Sequence, residues 1–291
     1  MAVVVDRAAH VQHRQAVAGR AVRRALIHAV ILFGAVFMVV PFAWMVGASI
    51  KYPDEIFTYP PTWIPRSIRY ENWVEAWNAV SWARYFFNSA VMAVSITAGH
   101  LVLCSLAAYG FARTRFPGRD ALFMCFLATL MVPGQVLLIP QFIMMRWFGW
   151  VDTYWALILP SIGSAYGTFL LRQFFLTIPY ELEDAARIDG CTRLQILYRI
   201  IVPLSVPAMT TLAVFSFMGA WNAFIWPLIV TTSEPMFTVQ LGLSTFRGAY
   251  GNNDWGRMMA ATCFITLPVI GAFLVGQRQF IEGITTTGMK G

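Results

Sequence analysis

The sequence predicts an all-α membrane protein with six transmembrane helices, and two observations support that prediction. Of the 291 residues, 58% are hydrophobic and only 12% are charged, which is about half the charged fraction of a typical soluble domain. Six windows also contain no Asp, Glu, Lys or Arg: residues 26–50, 85–112, 121–145, 153–171, 200–233 and 258–277. A helix that spans a bilayer needs about 20 apolar residues. Each window can therefore hold one helix, and the fourth is the shortest.

The distribution of Lys and Arg predicts that both termini are cytoplasmic. If the N-terminus is inside, the cytoplasmic segments carry 14 of the 21 basic residues and the external segments carry 7. Such an excess is expected because cytoplasmic loops are enriched in Lys and Arg. The net charge of +7 is then a topology signal. Nucleic acid is a poor candidate partner, since the basic residues are spread over both faces.

The windows divide the chain into four parts. We expect a polar cytoplasmic tail at 1–24, the first span with an external loop at 25–84, a membrane core at 85–280 and a cytoplasmic tail at 281–291. The first tail carries five arginines and is interpreted as an uncleaved arm that anchors the first span; lipid binding is a further possibility. In the external loop, Trp73, Trp77 and Tyr85 recur at helical spacing. This pattern predicts an amphipathic helix at the membrane interface, with a sugar-stacking platform as the alternative.

Prolines and one histidine mark the spans. Pro133, Pro140 and Pro160 fall in the third and fourth windows, and Pro203, Pro207 and Pro227 in the fifth. Proline kinks a helix by removing a backbone donor, which suits either a moving pore or irregular packing. His100 is the single histidine in the second window. Because the windows contain no Asp, Glu, Lys or Arg that could complete a proton relay, we expect it to be hydrogen-bonded in the packing.

Residues 178–204 form the longest charged segment and predict two short helices with a joint. Acidic residues in the first turn suit the positive end of a helix dipole, and Asp189-Gly190 predicts a glycine stop. Thr192 and Gln195 have the spacing of a capping box. The residue spacing places one set of residues on a common face of the first helix and forms an apolar stripe on the second. These faces are Leu182, Ala185, Ala186 and Asp189 in the first helix, and Leu194, Leu197, Tyr198 and Ile201 in the second.

By pattern alone, this segment could be a polar loop between two membrane helices, but its sequence resembles a family motif. The run EDAARIDG at 183–190, followed by Pro203 thirteen residues after the glycine, resembles the EAA loop of ABC-importer permeases. The resemblance implies a type I ABC importer permease fold. It also implies that 178–203 contains a coupling helix that docks on a cytoplasmic ATPase. The residues implied in coupling are Glu183, Asp184, Ala185, Ala186, Asp189 and Gly190. Asp184 stands where the family usually has Glu.

Two further stretches favour a carbohydrate as the transported solute. In the fifth window, Trp221, Asn222 and Trp226 combine aromatic faces with an amide, a combination that binds neutral sugars; an aromatic belt at the membrane surface is the alternative. This stretch resembles the corresponding span of sugar permeases. The C-terminal sequence IEGITTTGMKG resembles that of maltose-type carbohydrate permeases.

The resemblance implies a permease subunit in the bacterial cytoplasmic membrane, surrounded by lipid. The implied partners are a second, homologous permease chain, two ATP-binding subunits and an extracytoplasmic solute-binding protein. ATP and Mg would be bound by the partners, and we expect no cofactor, metal or catalytic residue in this chain. The spacing of Gly283 and Gly288 imitates a phosphate loop but lacks its strand and its Ser or Thr. The alternatives are a permease for glycerophosphodiester, phosphate or amino acid, or, disfavoured by the charge-free spans, a secondary transporter or membrane enzyme.

Overall fold

Three long helices and three bent helix pairs account for most of the six charge-free windows in the computed structural model, and the end of the fifth window, 222–233, lies beyond its pair. The structure describes the backbone of residues 2–250 and 254–288 and the side chains of residues 23–246 and 254–277. The long helices contribute Arg23–Ser49, Trp82–Arg113 and Trp255–Gln277 as candidate spans. Within this part of the chain, there are three unbroken candidate spans, or six if each bent pair counts as one.

The described residues form sixteen α-helices, joined by short loops. They are α1 (Ala2–Ser49), α2 (Pro53–Ile56), α3 (Glu71–Asn78), α4 (Trp82–Gly99), α5 (Ser105–Arg113), α6 (Arg119–Ala128), α7 (Gly134–Trp147), α8 (Tyr154–Ile158), α9 (Ala165–Phe175), α10 (Glu181–Ile188), α11 (Arg193–Ile196), α12 (Val202–Leu204), α13 (Val206–Trp221), α14 (Ile225–Val230), α15 (Val239–Tyr250) and α16 (Trp255–Gly288). Two π-helical turns, His100–Cys104 and Leu197–Ile201, continue α4 into α5 and α11 into α12. Single 3₁₀ turns occupy Thr129–Met131, Leu159–Ser161 and Glu234–Met236.

Proline accounts for the breaks in the bent pairs. The chain bends by 97° between Met131 and Gly134, by 44° between Ser161 and Ala165, and by 83° between Leu204 and Val206. Pro133 lies in the first break, Pro160 in the 3₁₀ turn before the second, and Pro207 in the first turn of α13. The predicted interruptions are therefore confirmed at these three prolines. Pro41 and Pro268, by contrast, lie inside the long helices α1 and α16, which continue past them.

The helices pack into two apolar clusters. In the first, α4, α13 and α16 pack together around large side chains such as Trp82, Met92 and Trp221. In the second, α5 packs on α9, and residues of the 178–204 segment join the same core. Helix α1 packs on α16 and leaves apolar side chains such as Phe33 exposed. An apolar surface of this kind suits a helix that faces lipid.

The amphipathic helix predicted between the first two windows is present but short, since it covers only α3. Trp73 and Trp77 both pack edge-on against Phe264 of α16, with ring centroids 5.1 and 5.5 Å apart. The Trp73 indole N–H also donates to Ser49 Oγ at 3.1 Å. Tyr85, which the spacing placed in the same helix, belongs to α4 instead. The two tryptophans thus hold the loop against α16, a packing role that their spacing did not reveal.

Candidate functional site

The joint between α10 and α11 has the geometry that the sequence predicted. Helix α10 ends at Ile188, and Gly190 adopts a φ of +81°. The backbone N–H of Cys191 donates to Ala186 O at 2.9 Å, and that of Gly190 donates to Arg187 O at 3.0 Å, which is the Schellman pattern of a glycine-terminated helix. Thr192 and Gln195 form the predicted capping box at the start of α11. The glycine stop and the second helix start are therefore confirmed.

The face of α10 that the spacing groups together is not the buried face. Leu182, Ala185 and Asp189 are exposed, and the residues that are buried are Glu183 and Ala186. Glu183 can be buried because it has an ion-pair partner in the interior. As a result, the exposed surface of α10 combines Asp184 with the apolar side chains Leu182 and Ile188, the latter 87% exposed.

The second predicted stripe is only half correct. Leu197 and Ile201 are fully buried, but Leu194 and Tyr198 are exposed and Ile196 is buried in their place. Tyr198 lies in the π-helical turn Leu197–Ile201, where the residue spacing differs from that of an α-helix, whereas Leu194 and Ile196 lie in α11 before it. The buried side chains of this helix join the second cluster together with residues of α5 and α9.

Glu183 forms a buried ion pair with Arg113, the last residue of α5. The Arg113 Nε atom lies 3.2 Å from Glu183 Oε1, and both side chains are fully buried. The Tyr109 hydroxyl donates to Glu183 Oε2 at 3.2 Å. Arg187 approaches the same oxygen at 3.4 Å and also pairs with Asp184 at 3.2 Å. The charge distribution places Arg113 among the cytoplasmic basic residues, and its position directly after an apolar window is the sequence signal for its burial.

Arg113 also contacts the segment between α9 and α10. Its Nη2 donates to the backbone oxygens of Phe175 and Ile178. Its guanidinium carbon lies 4.2 Å from the ring centroid of Tyr180, which is within cation–π range. Arg113 therefore contacts the end of α9, the linker after it and α10 with a single side chain.

A second feature is a cavity of about 270 Å³ between α4, α13 and the break between α8 and α9. Its polar groups include the side chains of Ser161, Ser164, Ser216 and Tyr166, and the rest of the lining is mostly apolar or aromatic. The lining residues are Met92, Ile96, His100, Leu157, Ser161, Ser164, Tyr166, Leu212, Phe215, Ser216, Gly219, Ala220, Ala223 and Trp226. No Asp, Glu, Lys or Arg belongs to this lining. Irregular backbone at membrane depth is tolerated where it lines such a cavity.

His100 connects two walls of the cavity. Its Nδ1 lies 2.7 Å from Ser216 Oγ of α13, and its Nε2 lies 2.8 Å from the backbone oxygen of Ser161. The expectation of a hydrogen-bonded histidine is confirmed. Gly99 permits this approach, because a Cβ atom there would lie 2.1 Å from Ile162 Cγ1. The π-helical turn that begins at His100 is a distortion often found at functional sites.

The structure does not bring Trp221, Asn222 and Trp226 together at one surface. Trp226 lines the cavity and donates to Ala156 O at 2.9 Å. Trp221 is only 2% exposed and donates to Ile265 O at 3.1 Å inside the first cluster. Asn222 is exposed, donates to Met218 O at 2.9 Å and accepts from Gln240 at 3.2 Å. The polar groups of the cavity include the hydroxyls of Ser161 and Ser164, at the break between α8 and α9, and of Ser216 in α13.

Bent candidate spans and a glycine-terminated segment are features expected of the permease subunits of ATP-binding cassette importers, and the family comparison assigns the chain to this class. Residues 100–280 match the family described as "Binding-protein-dependent transport system inner membrane component", and the chain belongs to that family. The arabinooligosaccharides transport system permease protein AraQ of Bacillus subtilis is 38% identical over 228 residues, which cover 78% of this chain and 81% of the relative. The sn-glycerol-3-phosphate transport system permease protein UgpE of Yersinia enterocolitica is 33% identical over 265 residues, covering 88% and 94%.

A solved structure supports the fold independently. One chain of a bacterial ABC transporter involved in the import of the acidic polysaccharide alginate matches with a TM-score of 0.77 and 23% identity, covering 88% of this chain and 96% of that one. A second match, with a TM-score of 0.59 and 15% identity, comes from an alginate ABC transporter in complex with a periplasmic protein bound to alginate pentasaccharide. At these identities, the likeness establishes the fold of the chain.

Proposed function

We propose that this chain is the permease subunit of an ATP-driven, binding-protein-dependent importer that moves a carbohydrate across the bacterial cytoplasmic membrane. The observation that carries the choice of solute is the cavity, whose lining contains hydroxyl groups and an indole ring but no Lys or Arg. Neutral sugars are held by aromatic faces and neutral hydrogen-bonding groups. The AraQ relative, named for arabinooligosaccharides, supports the same class of solute.

The competing solute is sn-glycerol-3-phosphate, which the UgpE relative's name gives. Proteins commonly bind phosphate groups with Arg or Lys through charge-assisted hydrogen bonds, and the described cavity offers neither. The deciding experiment measures ATP hydrolysis by the reconstituted complex at saturating binding protein. We expect stimulation by an oligosaccharide such as arabinotriose and none by sn-glycerol-3-phosphate. Stimulation by the phosphate ester alone would overturn the carbohydrate assignment.

For the arrangement in the membrane, the proposal is that each bent pair forms one crossing, which gives six spans with both termini cytoplasmic. The distribution of basic residues, 14 against 7, supports this orientation. Single cysteines at Ser67 and Glu181, both on exposed positions, provide the test with a membrane-impermeant thiol reagent. From outside intact cells, Ser67→Cys should react and Glu181→Cys should not. The reverse pattern would contradict the orientation.

For coupling, the proposal is that the exposed surface of α10 docks on one of two ATP-binding subunits. This surface has apolar side chains beside the exposed carboxylate of Asp184, a combination suited to a groove with a basic rim. ATP and Mg would act on those subunits, and this chain would have no catalytic residue, cofactor or metal site of its own. Three bent helix pairs would allow the bundle to open alternately to either side. A second permease chain would complete the passage, and an external binding protein would deliver the solute.

A further inference from the structure

We infer that Arg113 is a positioning residue that locks α10 to the ends of α5 and α9, so that these three elements move as one body. The inference rests on the proposed function only for the source of the movement, which would be the ATP-binding subunits. The lock itself is read from contacts inside this chain.

Three elements meet at the Arg113 guanidinium group. Arg113 is the last residue of α5, its Nη2 donates to the backbone oxygens of Phe175 and Ile178, and its Nε pairs with Glu183 of α10. The Tyr180 hydroxyl adds a return contact by donating to Ala112 O at 3.2 Å. An arginine is suited to such a site because its rigid, planar fork presents several donors in fixed directions.

The ion pair between Arg113 and Glu183 positions α10 more than it stabilises the fold. Transferring two charges from water to the interior is costly, and apolar side chains of similar volume often stabilise a fold equally well. Loss of one partner is much worse, because an unpaired buried charge remains. Apolar contacts such as those of Ala186 in the second cluster are non-directional. The ion pair holds Glu183 beside Arg113, and the hydrogen bond from the Tyr109 hydroxyl to Glu183 Oε2 supplies the directional constraint on α10.

The pair also continues to the proposed docking surface as a row of alternating charges. Arg113 and Glu183 are fully buried, Arg187 is 48% exposed and Asp184 is 64% exposed, and each successive pair is separated by 3.2 to 3.4 Å. Coupling between distant sites is carried by such contiguous salt-bridge networks and rigid helices. A displacement applied at Asp184 is thereby transmitted to the end of α5, whose helix continues through the π-helical turn to His100 at the cavity.

The test is a spin-label distance measurement between α10 and the loop after α5, made in the assembled transporter. Labels are placed at the exposed positions Glu181 and Arg115, with the four cysteines replaced by serine. Distances are recorded in the nucleotide-free and vanadate-trapped states. For the parental chain, we expect one narrow distribution with the same mean in both states.

Two variants remove the ion pair, and a third variant serves as the matched control. Glu183→Gln leaves Arg113 unpaired, whereas the double variant Arg113→Gln/Glu183→Gln removes both charges and avoids the buried unpaired cation. In both, the width of the distribution should at least double, and its mean should differ between the two states. Arg193→Gln removes an exposed charge from the same segment and should behave like the parent.

The possible outcomes are distinguishable. A narrow, state-independent distance in the double variant would overturn the lock, as would a parental distance that shifts between states. If Glu183→Gln does not reach the membrane, the double variant decides. If no ATP-binding subunit co-purifies with the parental chain, the proposed function fails. The widths measured in the purified chain still report on the lock in that case.

Discussion

Backbone strain and crowding of the docking surface are two physical reasons for a glycine at the joint between α10 and α11. Substitutions of Gly190 distinguish them. The backbone φ of Gly190 is +81°, and a Cβ atom built there would have no heavy atom within 4 Å. The cost of a side chain within this chain is therefore backbone strain alone, about 1–2 kcal/mol for most residues. That cost corresponds to a factor of roughly 5 to 30 in a local equilibrium. It is too small to remove the protein from the membrane.

Three variants distinguish strain from crowding of the docking surface. Gly190→Ala introduces the strain with a minimal side chain. Gly190→Asn introduces a larger side chain with less strain, because asparagine tolerates positive φ better than most residues. Gly190→Leu introduces both. If the joint enters a groove on an ATP-binding subunit, Gly190→Leu should abolish association of this chain with that subunit. Gly190→Asn should weaken the association, and Gly190→Ala should weaken it least.

The assay is co-purification of the ATP-binding subunits with the tagged permease, together with ATP hydrolysis by the complex. We expect at least a tenfold loss of both for Gly190→Leu at unchanged membrane expression. If Gly190→Ala lowers co-purification and ATP hydrolysis as much as Gly190→Leu does, while Gly190→Asn leaves both unchanged, backbone strain and not docking explains the glycine. Normal association of Gly190→Leu would refute the coupling assignment for this segment.

Three further predictions follow from the structure. Asp184→Lys should weaken association with the ATP-binding subunits because it reverses an exposed charge, and Glu181→Lys in the same turn is the control that should change association less. Trp221→Ala should lower the free energy of unfolding by about 3–5 kcal/mol, as expected for a buried tryptophan. Trp226→Ala should instead reduce solute-stimulated ATP hydrolysis, and equal loss of thermal stability in the two variants would contradict this division. Burial alone would raise the pKa of Asp152, but hydrogen bonds from Ser233 and Thr232 lower it below its usual value. The stabilisation is therefore present above the pKa of the unfolded chain and is lost as the pH falls through the lower folded pKa. Asp152→Ala should cost about 1–3 kcal/mol of stability, while Asp152→Asn, which keeps the acceptor oxygen, should cost less; equal thermal unfolding of the two variants in detergent would argue against this role.

The sequence was most informative where the controlling interactions are local. Charge-free windows locate the helices because length and polarity alone decide whether a segment suits a bilayer. The Gly190 stop and the capping box at Thr192 were predictable because their donors and acceptors lie within five residues of each other. The proline breaks were predictable for the same reason, although the bend angles depend on neighbouring helices.

The interior of the candidate site could not be predicted in this way. From its position in a charged helix, Glu183 would be expected to be solvated. Its partner Arg113 lies 70 residues earlier in the chain, so no local sequence pattern connects the two residues. Trp221 and Trp226 are also alike in sequence, but α13 ends at Trp221 and the chain turns before α14. One indole consequently enters the core and the other reaches the cavity. The cavity hydroxyls come from α9, α13 and the break between α8 and α9, and the sequence does not specify how these parts of the chain pack together.

The most direct test of the proposed importer is uptake of a labelled oligosaccharide into vesicles. The chain is reconstituted with its second permease and two ATP-binding subunits, and the binding protein is supplied outside. The proposed function predicts uptake that requires ATP inside the vesicles and stops when Gly190→Leu replaces the parental chain. Uptake at the same rate without ATP, or with no dependence on the binding protein, would contradict it.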